Sequence, residues 1–324
     1  MTVNEKLYAR LRFKLELLER NAQSFQDLFT KVMTAHCSSF EPVKPYGNMG
    51  DRKNDGFNPD TGTYYQVYAP EDPSTNKLQA IQKLHKDFEG LFKNWNHITP
   101  INTFYFAVND KFVGMGPFLH EELKKIEGNY PTVKCKPFYA HHLMEVFMSL
   151  PEEHIYSLIG NIPDPTEIEP FESHVMNDVV RYLLGNFTQT NTTPPPKDPD
   201  FDLKLRFNKL SEHPATCLKF AGYQYGDLRD FFATSVDVKE KLKEIFNGLY
   251  KKALSDLPDT EDRNDLVFYY ILNKAHPKAS ERKDIYNAVL VLMSYYFSAC
   301  DIFEDPRKPI QGTFDFLKSY APSN

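Results

Sequence analysis

Cysteine is scarce in this sequence, and no pair of cysteines has the spacing of a zinc site. The four cysteines are scattered along the chain, at Cys37, Cys135, Cys217 and Cys300, and no CxxC pair occurs. Structural zinc sites are usually built from such pairs, so a zinc site is not expected. Isolated cysteines are typical of a reducing compartment and not of a disulfide framework, and we therefore expect a cytoplasmic protein.

Long hydrophobic runs are also missing. No stretch approaches the roughly 18 consecutive apolar residues that a membrane-spanning helix requires. Residues 1–20 are charged and amphipathic, and they contain no apolar core of the kind found in a secretion signal. We therefore expect no association with a membrane.

Neither an excess of positive charge nor a common phosphate-binding or hydrolase motif is present. A net charge of -6 excludes a protein that binds nucleic acid through its overall charge, so binding would need a local basic cleft. The patterns GxxxxGK(S/T), GxSxG and HExxH are absent, which argues against a P-loop NTPase, an α/β-hydrolase and a zinc protease. Any chemistry must come from a more local pattern.

The 324 residues exceed what one hydrophobic core usually organises, which favours two domains. In residues 1–150, helical stripes of apolar residues alternate with short β-prone runs, and this alternation predicts an α/β domain. We expect helices at residues 4–20, from about 24 onward, and at 76–94, 117–127 and 141–150, and strands at 63–68, 102–108 and 132–137.

The rest of the chain has a different pattern. Residues 151–170 are rich in proline and acidic residues, a composition typical of a linker. Residues 171–306 have helical periodicity, which predicts an all-α domain of common size. Its clearest predicted helices are at 171–187, 238–254 and 284–300. Residues 307–324 are expected to form a tail.

One loop in the first half, together with the strand predicted after it, contains residues suited to chemistry. The polar loop 47–62 includes Lys53 and Asp55. Gln66 and Tyr68 follow on the strand two residues apart, so their side chains face the same side. A metal-dependent phosphodiesterase needs a carboxylate for Mg²⁺, a second ligand on a rigid strand and a cation for the developing charge. This segment is therefore the candidate site.

This spacing resembles the PD-(D/E)xK nuclease superfamily, in which an Asp precedes a strand that carries Asp, Glu or Gln, one further residue, and Lys. The resemblance covers about residues 20–150. It is closest in layout to the branch with Asp-Gly followed by a Gln-x-Lys strand, found in modified-DNA restriction enzymes. It implies a restriction-endonuclease-like mixed sheet flanked by helices, with Asp55 and Gln66 as ligands of Mg²⁺ and Tyr68 at the lysine position.

The lysine position is where this sequence departs from the superfamily. Tyr68 cannot supply a positive charge, because a phenol is neutral at pH 7. Either another cation takes its place, with Lys53 as the nearest candidate and Lys44 as the second, or catalysis has been lost. The first helix of the superfamily often adds an acidic or amide side chain. Three residues are candidates for that place here: Gln26, Asp27 and Glu19.

Two strings in the helical half carry a second resemblance. They are FDLKLRFNKLS at residues 201–211 and YYFSACDIFEDP at residues 295–306. Residues 170–306 resemble the helical C-terminal domain of effector proteins in bacterial three-component ABC-ATPase conflict systems. In such proteins the variable N-terminal domain is the effector, often a nuclease, and the C-terminal domain couples it to its partners.

The second string closes the last long helix with acidic residues. Asp301, Glu304 and Asp305 oppose the helix dipole, at a cost of a few tenths of a kcal/mol each. We expect a basic partner or an internal salt bridge to offset them, and we expect Phe303 to pin this helix end in the core.

The two resemblances together imply a bacterial anti-phage defence effector with a Mg²⁺-dependent DNA endonuclease-like domain. Asp55 and Gln66 would hold the metal, and Lys53 would stabilise the negative charge that develops on the phosphate. Tyr68, at the lysine position, is the fourth predicted site residue. The helical domain would bind other subunits of the system, and the candidates are an ABC-type ATPase and a second copy of this chain. One alternative is a catalytically inactive nucleic-acid-binding or scaffold subunit, in which Tyr68 marks a dead site. In a third interpretation, the whole chain is an interaction protein with an unrelated α/β domain.

Overall fold

The computed structural model describes residues 1–44, 47, 51–73, 77–160, 171–187, 200–233, 236–277 and 282–307. The chain divides into two compact units. Unit 1 comprises Met1 and Arg12–Gly160, and unit 2 comprises Thr2–Leu11 and Asn161–Asn324. The first helix, α1 (Val3–Glu19), therefore contributes residues to both units.

Unit 1 alternates helices and strands, as the sequence predicts. After α1 the elements are α2 (Ala22–His36), β1 (Glu41–Pro42), β2 (Gly56–Asn58), β3 (Thr63–Tyr68), α3 (Lys77–Trp95), β4 (Thr103–Val108), α4 (Phe118–Asn129), β5 (Lys134–Phe138), α5 (Ala140–Met148) and α6 (Glu152–Ile159). The three predicted strands correspond to β3, β4 and β5, because runs such as TYYQVY and TFYFAV are rich in the aromatic and β-branched residues that favour a pleated surface.

The five strands form one mixed sheet in the order β1-β2-β3-β4-β5. The first three strands are antiparallel neighbours, and Gly56 of β2 lies opposite Tyr65 of β3. The last three are parallel, and Tyr65 lies opposite Tyr105 of β4. Parallel neighbours need long crossover connections, which α3 and α4 provide here. The expected mixed sheet flanked by helices is therefore present.

Helices cover both faces of this sheet. On one face, Tyr64 and Phe104 pack into a core that also contains residues of α3 and α4, such as Leu84 and Leu123. On the other face, the ring of Phe29 from α2 lies 5.6 Å from that of Tyr65, in a cluster that Tyr105 and Phe138 complete. The central strands β3 and β4 thus have a fixed register and two fixed faces.

The apolar face of α3 differs from the predicted one. The periodicity of residues 76–94 predicts a buried stripe of Leu78, Ile81, Leu84, Phe88 and Leu91, but Leu78 is 73% exposed. The buried positions are Ala80, Leu84, Asp87, Phe88 and Leu91. These positions recur at the 3.6-residue period and form one buried stripe along the helix. The stripe includes one charged residue, Asp87. This placement brings Asp87 inside the protein.

Unit 2 is helical, as expected. Besides the first part of α1, it contains α7 (Ser173–Asn186), α8 (Phe201–Phe207), α9 (Glu212–Gly222), α10 (Tyr225–Ala233), α11 (Val236–Asp256), α12 (Arg263–Ala275) and α13 (Lys283–Ser298). Helix α13 packs against α7, α9 and α12 and is the most buried helix, together with α12. The ring of Tyr8, from α1, meets that of Tyr269 edge-on at 5.0 Å.

The acidic segment after α13 is held by groups of the same unit. Lys243 lies 3.6 Å from Asp301, and Arg307 lies 2.9 Å from Asp305, so internal salt bridges offset these acids. The ammonium group of Lys204, which is fully buried, donates hydrogen bonds to the carbonyl oxygens of Phe297 and Ile302. These bonds join Lys204 of α8 to the last turn of α13 and to the segment after it.

The side chain of Asn208 joins helix α8 to the same segment. Its Nδ2 donates to the carbonyls of Lys204 and Glu304, and its Oδ1 accepts from the Glu304 amide. Phe303 is 3% exposed, which confirms the expectation that it pins this region in the core.

The predicted linker, residues 151–170, begins with a helix and not with irregular chain. Helix α6 occupies Glu152–Ile159, and its Ile155 and Ile159 are buried. Pro151 stands immediately before the helix, where proline is compatible with a helix start. Residues 161–170, and residues 308–324 of the predicted tail, lie outside the described residues.

Candidate functional site

The position of Asp55 is fixed by the edge of strand β3. Asp55 precedes β2, and its amide donates to the carbonyl of Tyr65 at 3.1 Å. Its Oδ2 then accepts the Val67 amide at 2.6 Å, so the side chain continues the ladder where β2 leaves β3. Its Oδ1 accepts Nε2 of Gln26, from α2, at 2.7 Å. Gln26 and Asp27, both on α2, are two of the residues predicted to add an amide or acidic side chain to the site. Gln26 lies beside Asp55, whereas Asp27 accepts a hydrogen bond from Gln23 on the surface.

Burial raises the pKa of Asp55. The carboxyl group is 4% exposed, and its pKa rises to about 6, chiefly because burial penalises the charged form. The hydrogen bond from Val67 opposes this rise, the negative charges of Asp51 and Asp87 add to it, and Lys83 lowers it. Asp55 therefore exchanges its proton near neutral pH, where a bound cation would compete with that proton.

Gln66 presents an oxygen that has no partner among the described residues. It lies on β3 directly before Val67, is 4% exposed, and its Oε1 is buried and accepts no hydrogen bond. A buried acceptor left unpaired is costly, and native proteins usually pair such an atom with a donor, a water molecule or an ion. This oxygen is therefore an available ligand within one residue of the strand position that binds Asp55.

Tyr68 occupies the same side of β3 as Gln66. Its ring stacks on Phe106 with centroids 5.8 Å apart, and it faces an open cleft. Burial raises the pKa of the phenol, so it stays protonated and neutral. Tyr68, which the sequence pattern predicts to stand in the place of the lysine, therefore offers a hydrogen-bond donor without charge.

Lys53 is held against α3 by a tight turn. Arg52 and Lys53 both have left-handed backbone conformations, with φ of 54° and 66°, and the Lys53 amide donates to Oδ1 of Asp51 at 2.8 Å. The Lys53 ammonium lies 3.0 Å from Asp87 Oδ1. Its pKa is raised, mainly by that hydrogen bond. Gly90 leaves room for the Lys53 stem, since a Cβ there would lie 2.8 Å from Lys53 Cγ.

Helix α3 adds functional groups that the sequence analysis did not identify. Lys83 Nζ lies 2.5 Å from Asp87 Oδ2, so the buried carboxylate binds two lysines at once. Lys86 lies on the same helix and lines the cleft as well. The signal for Asp87 was its place on the apolar stripe of α3, three residues after Leu84, because a charge there is buried only when it is paired.

These side chains border one cleft of about 390 Å³, here called the lysine cleft. Its lining residues are Lys53, Tyr68, Gln79, Gln82, Lys83, Lys86 and Asp87. Three ammonium groups against one carboxylate leave two net positive charges, so the cleft attracts anions although the whole chain is acidic. Lys44, the second cation considered, is exposed and does not line the cleft.

The oxygens of Asp55 and Gln66 fit Mg²⁺ better than a softer metal. Magnesium prefers carboxylate and carbonyl oxygens, and it usually takes one or two carboxylates and leaves other positions to water and substrate phosphates. The described residues hold no group of three or more His, Cys, Asp or Glu side chains arranged for a metal. A site here would therefore depend on the substrate for further ligands.

The fold and the site define a two-unit protein that joins an α/β unit with a positively charged cleft to a helical unit. Residues 174–304 match the family model of C-terminal domain 10 of the ABC-three component (ABC-3C) systems. The match confirms the resemblance seen in the helical half, and it assigns that region to a component of a multi-component system. No curated protein and no solved structure matches the chain. None of the helices in the described ranges is both long and apolar enough to span a bilayer.

Proposed function

We propose that this chain is the effector subunit of a bacterial defence system and that unit 1 is a Mg²⁺-dependent DNA endonuclease with a restriction-endonuclease-like fold. The match of residues 174–304 to a domain of ABC-three component systems supports the defence setting. The five-stranded mixed sheet and the arrangement of Asp55 beside β3 support the nuclease-like unit.

The observation that carries this proposal is the unpaired Oε1 of Gln66. It is buried on β3, and Asp55 is fixed to the amide of the next residue, Val67. Two hard oxygen ligands from neighbouring positions of one rigid strand edge suit Mg²⁺. When bound, Mg²⁺ would supply an activated water and stabilise negative charge on the phosphate.

The chain's own groups have separate tasks in this proposal. The hydrogen bonds from Gln26 and Val67 hold the Asp55 carboxylate in one orientation, so no rearrangement is needed when the substrate enters. Lys53 stabilises negative charge on the phosphate, and Lys83 assists from α3. Tyr68 remains neutral and donates its hydroxyl hydrogen to a phosphate oxygen.

Unit 2 would connect this activity to the rest of the system. The helical region binds the other subunits, among them an ABC-type ATPase, and the bound partners hold the nuclease inactive until invasion is sensed. The match of this region to a C-terminal domain of three-component systems supports a role in assembly.

One observation favours a second candidate function. The neutral Tyr68 stands where the resemblance predicts the catalytic lysine, which favours a subunit that binds nucleic acid without cutting it. In that case the lysine cleft retains DNA while Asp55 and Gln66 have no catalytic task. The two candidates differ in whether any divalent metal supports cleavage.

Nicking of supercoiled plasmid by the full-length chain distinguishes them. We expect cleavage with Mg²⁺ or Mn²⁺, no cleavage with a chelator, and a loss of at least about a hundredfold in Asp55→Asn. Asp60→Asn is the matched control, because Asp60 is exposed on the same hairpin and bonded to Ser39. DNA binding without cleavage under every metal would establish the second candidate. Equal cleavage by Asp55→Asn would reject the site.

A further inference from the structure

The lysine cleft is a built site and not a chance group of surface charges. Two elements that are distant in sequence supply its lysines: the turn that carries Lys53, and helix α3 with Lys83 and Lys86. They meet at Asp87, whose side chain is 2% exposed and accepts an ion pair on each oxygen. A carboxylate this deeply buried fixes the two ammonium groups that neutralise it.

The ammonium groups still have capacity for another anion. The side chains of Lys53 and Lys83 keep 40% and 33% of their surface exposed, whereas Asp87 beneath them is closed off. Each ammonium carries three donors, and Asp87 needs only one from each. Both lysines can therefore bind Asp87 and a ligand in the cleft at the same time.

The backbone is shaped to bring Lys53 to this place. Left-handed conformations at Arg52 and Lys53 are unfavourable for residues with side chains, and such strain persists where the surrounding structure enforces it. Gly90 of α3 has no Cβ, and a Cβ there would lie too close to the Lys53 stem. Three local features thus serve a single result, which is an ammonium group beside Asp87.

We infer that the lysine cleft binds a phosphomonoester dianion, the terminal phosphate of a cleaved nucleic-acid strand. The cleft has two net positive charges, which match a monoester of about two negative charges better than a diester of one. Its volume of about 390 Å³ accommodates a single nucleotide. Only the source of the phosphate, a strand end, rests on the proposed function.

The neighbouring acids do not cancel this charge balance. Asp51 and Asp55 lie near enough to raise the pKa of Lys53, but neither lines the cleft. Asp51 accepts the backbone amide of Lys53, and Asp55 accepts Gln26 and the backbone of β3. Their charges are therefore already directed at donors outside the cleft.

A phosphomonoester in the cleft explains why a neutral residue, Tyr68, stands at the end of β3. A lysine at the end of β3 would add a third net charge to the cleft, more than a single monoester neutralises. The phenol keeps its proton, because burial raises its pKa, and so it donates a hydrogen bond to a phosphate oxygen without adding charge. The carboxamides of Gln79 and Gln82 supply neutral donors at the rim of the cleft.

The test is equilibrium binding of the full-length chain, in the presence of a chelator, to short single-stranded DNA with a fluorophore at one end. The other end carries a 5′-phosphate, a 5′-hydroxyl, a 3′-phosphate or a 3′-hydroxyl in separate arms. We expect one phosphorylated end to bind about tenfold more tightly than its unphosphorylated counterpart. Adenosine monophosphate competes if a free nucleotide also satisfies the cleft, and inorganic phosphate competes more weakly.

Substitutions of the cleft lysines test whether the preference for a phosphorylated end arises in the cleft. Lys83→Ala and Lys86→Ala should each abolish the preference for the phosphorylated end, and Lys86, which is exposed, can be removed without leaving Asp87 unpaired. Lys93→Ala is the matched control, since Lys93 is exposed on the same helix outside the cleft. Equal affinity for all ends, or a preference that survives both substitutions, would overturn the inference.

The result is separable from that of the cleavage assay. An end preference without nicking would leave the inference standing and remove the nuclease. Nicking without an end preference would do the reverse.

Discussion

The carboxylate of Asp55 takes the place of a β-strand partner for Val67. Its Oδ2 lies 2.6 Å from the Val67 amide, at the point where β2 has left the edge of β3. A side chain that satisfies a strand edge in this way is restricted both in position and in rotamer. The same bond also resists the rise in pKa that burial imposes on Asp55. The hydrogen bond to Val67 therefore sets both the position of the Asp55 carboxyl group and part of its pKa.

The first prediction concerns this link between Asp55 and pH. The folded chain raises the Asp55 pKa from 3.8 to about 6, so it binds the proton more tightly than the unfolded chain does. The stability that protonated Asp55 contributes is complete below about pH 4 and is lost as the pH rises through about 6, a change of about 3 kcal/mol. Asp55→Asn cannot lose it.

Urea unfolding of both proteins between pH 4 and pH 8 measures the difference. We expect the free energy of unfolding of Asp55→Asn, relative to the wild type, to increase by about that amount over this range. Other acids, including Asp301, titrate in both proteins and cancel in the difference. A difference that does not change with pH would show that Asp55 has an ordinary pKa.

The second prediction concerns the contact between the Lys53 turn and α3. Replacing glycine by alanine inside a helix normally stabilises a protein by about 0.5–1 kcal/mol. At Gly90 the new Cβ would meet Lys53 Cγ at 2.8 Å, so we expect Gly90→Ala to lose this gain and to weaken ligand binding in the cleft. Gly128→Ala, on α4 with open space around it, should show the full gain.

Thermal unfolding of the two alanine variants makes that comparison. A similar stabilisation of both would mean that the Lys53 stem moves aside without cost, and then cleft binding should also be unchanged in Gly90→Ala.

The third prediction concerns the segment after α13. Asn208 makes three hydrogen bonds through its side chain, two of them to the backbone of Glu304. Asn208→Ala leaves buried backbone groups unpaired, and we expect it to destabilise the chain by about 2–3 kcal/mol. Asn186→Ala is the control, because that side chain is exposed and makes one bond within its own helix, so its effect should stay within about 0.5 kcal/mol. Chemical denaturation resolves the two values.

Strand β3 shows how far the sequence alone leads. Its aromatic and β-branched residues identify the strand, and the two-residue spacing puts Gln66 and Tyr68 on one face. Gln26 was correctly among the candidates for the neighbour of Asp55. These features depend on local preference and on alternation, which a sequence states directly.

The cleft depended on a contact that the sequence does not state. Lys53 and Asp87 form an ion pair although 34 positions separate them in sequence. No local pattern in the turn or in the helix predicts this contact. Leu78 was a plausible buried residue by type, but the tertiary packing of α3 selected a stripe through Asp87 instead. Local periodicity cannot decide between two adjacent stripes of one helix when both contain leucine.

Helix α12 was missed for a different reason. Its residues from Asp265 to Leu272 are all buried, so it has no polar face and no 3.6-residue alternation. The run VFYYIL has the composition of a strand, and burial on all sides allows it to be helical. Such helices are recognised from what packs around them.

The division of helix α1 has a consequence for how this protein can be taken apart or recombined. Residues 2–11 belong to the helical unit, and the buried ring of Tyr8 packs edge-on against Tyr269 of α12. A fragment that begins after residue 160 would lack Tyr8, and the core of the helical unit would contain a cavity the size of a tyrosine side chain. Exchange of the α/β unit between related chains therefore has to retain the first eleven residues, as an insertion within the helical unit and not as a fusion in front of it.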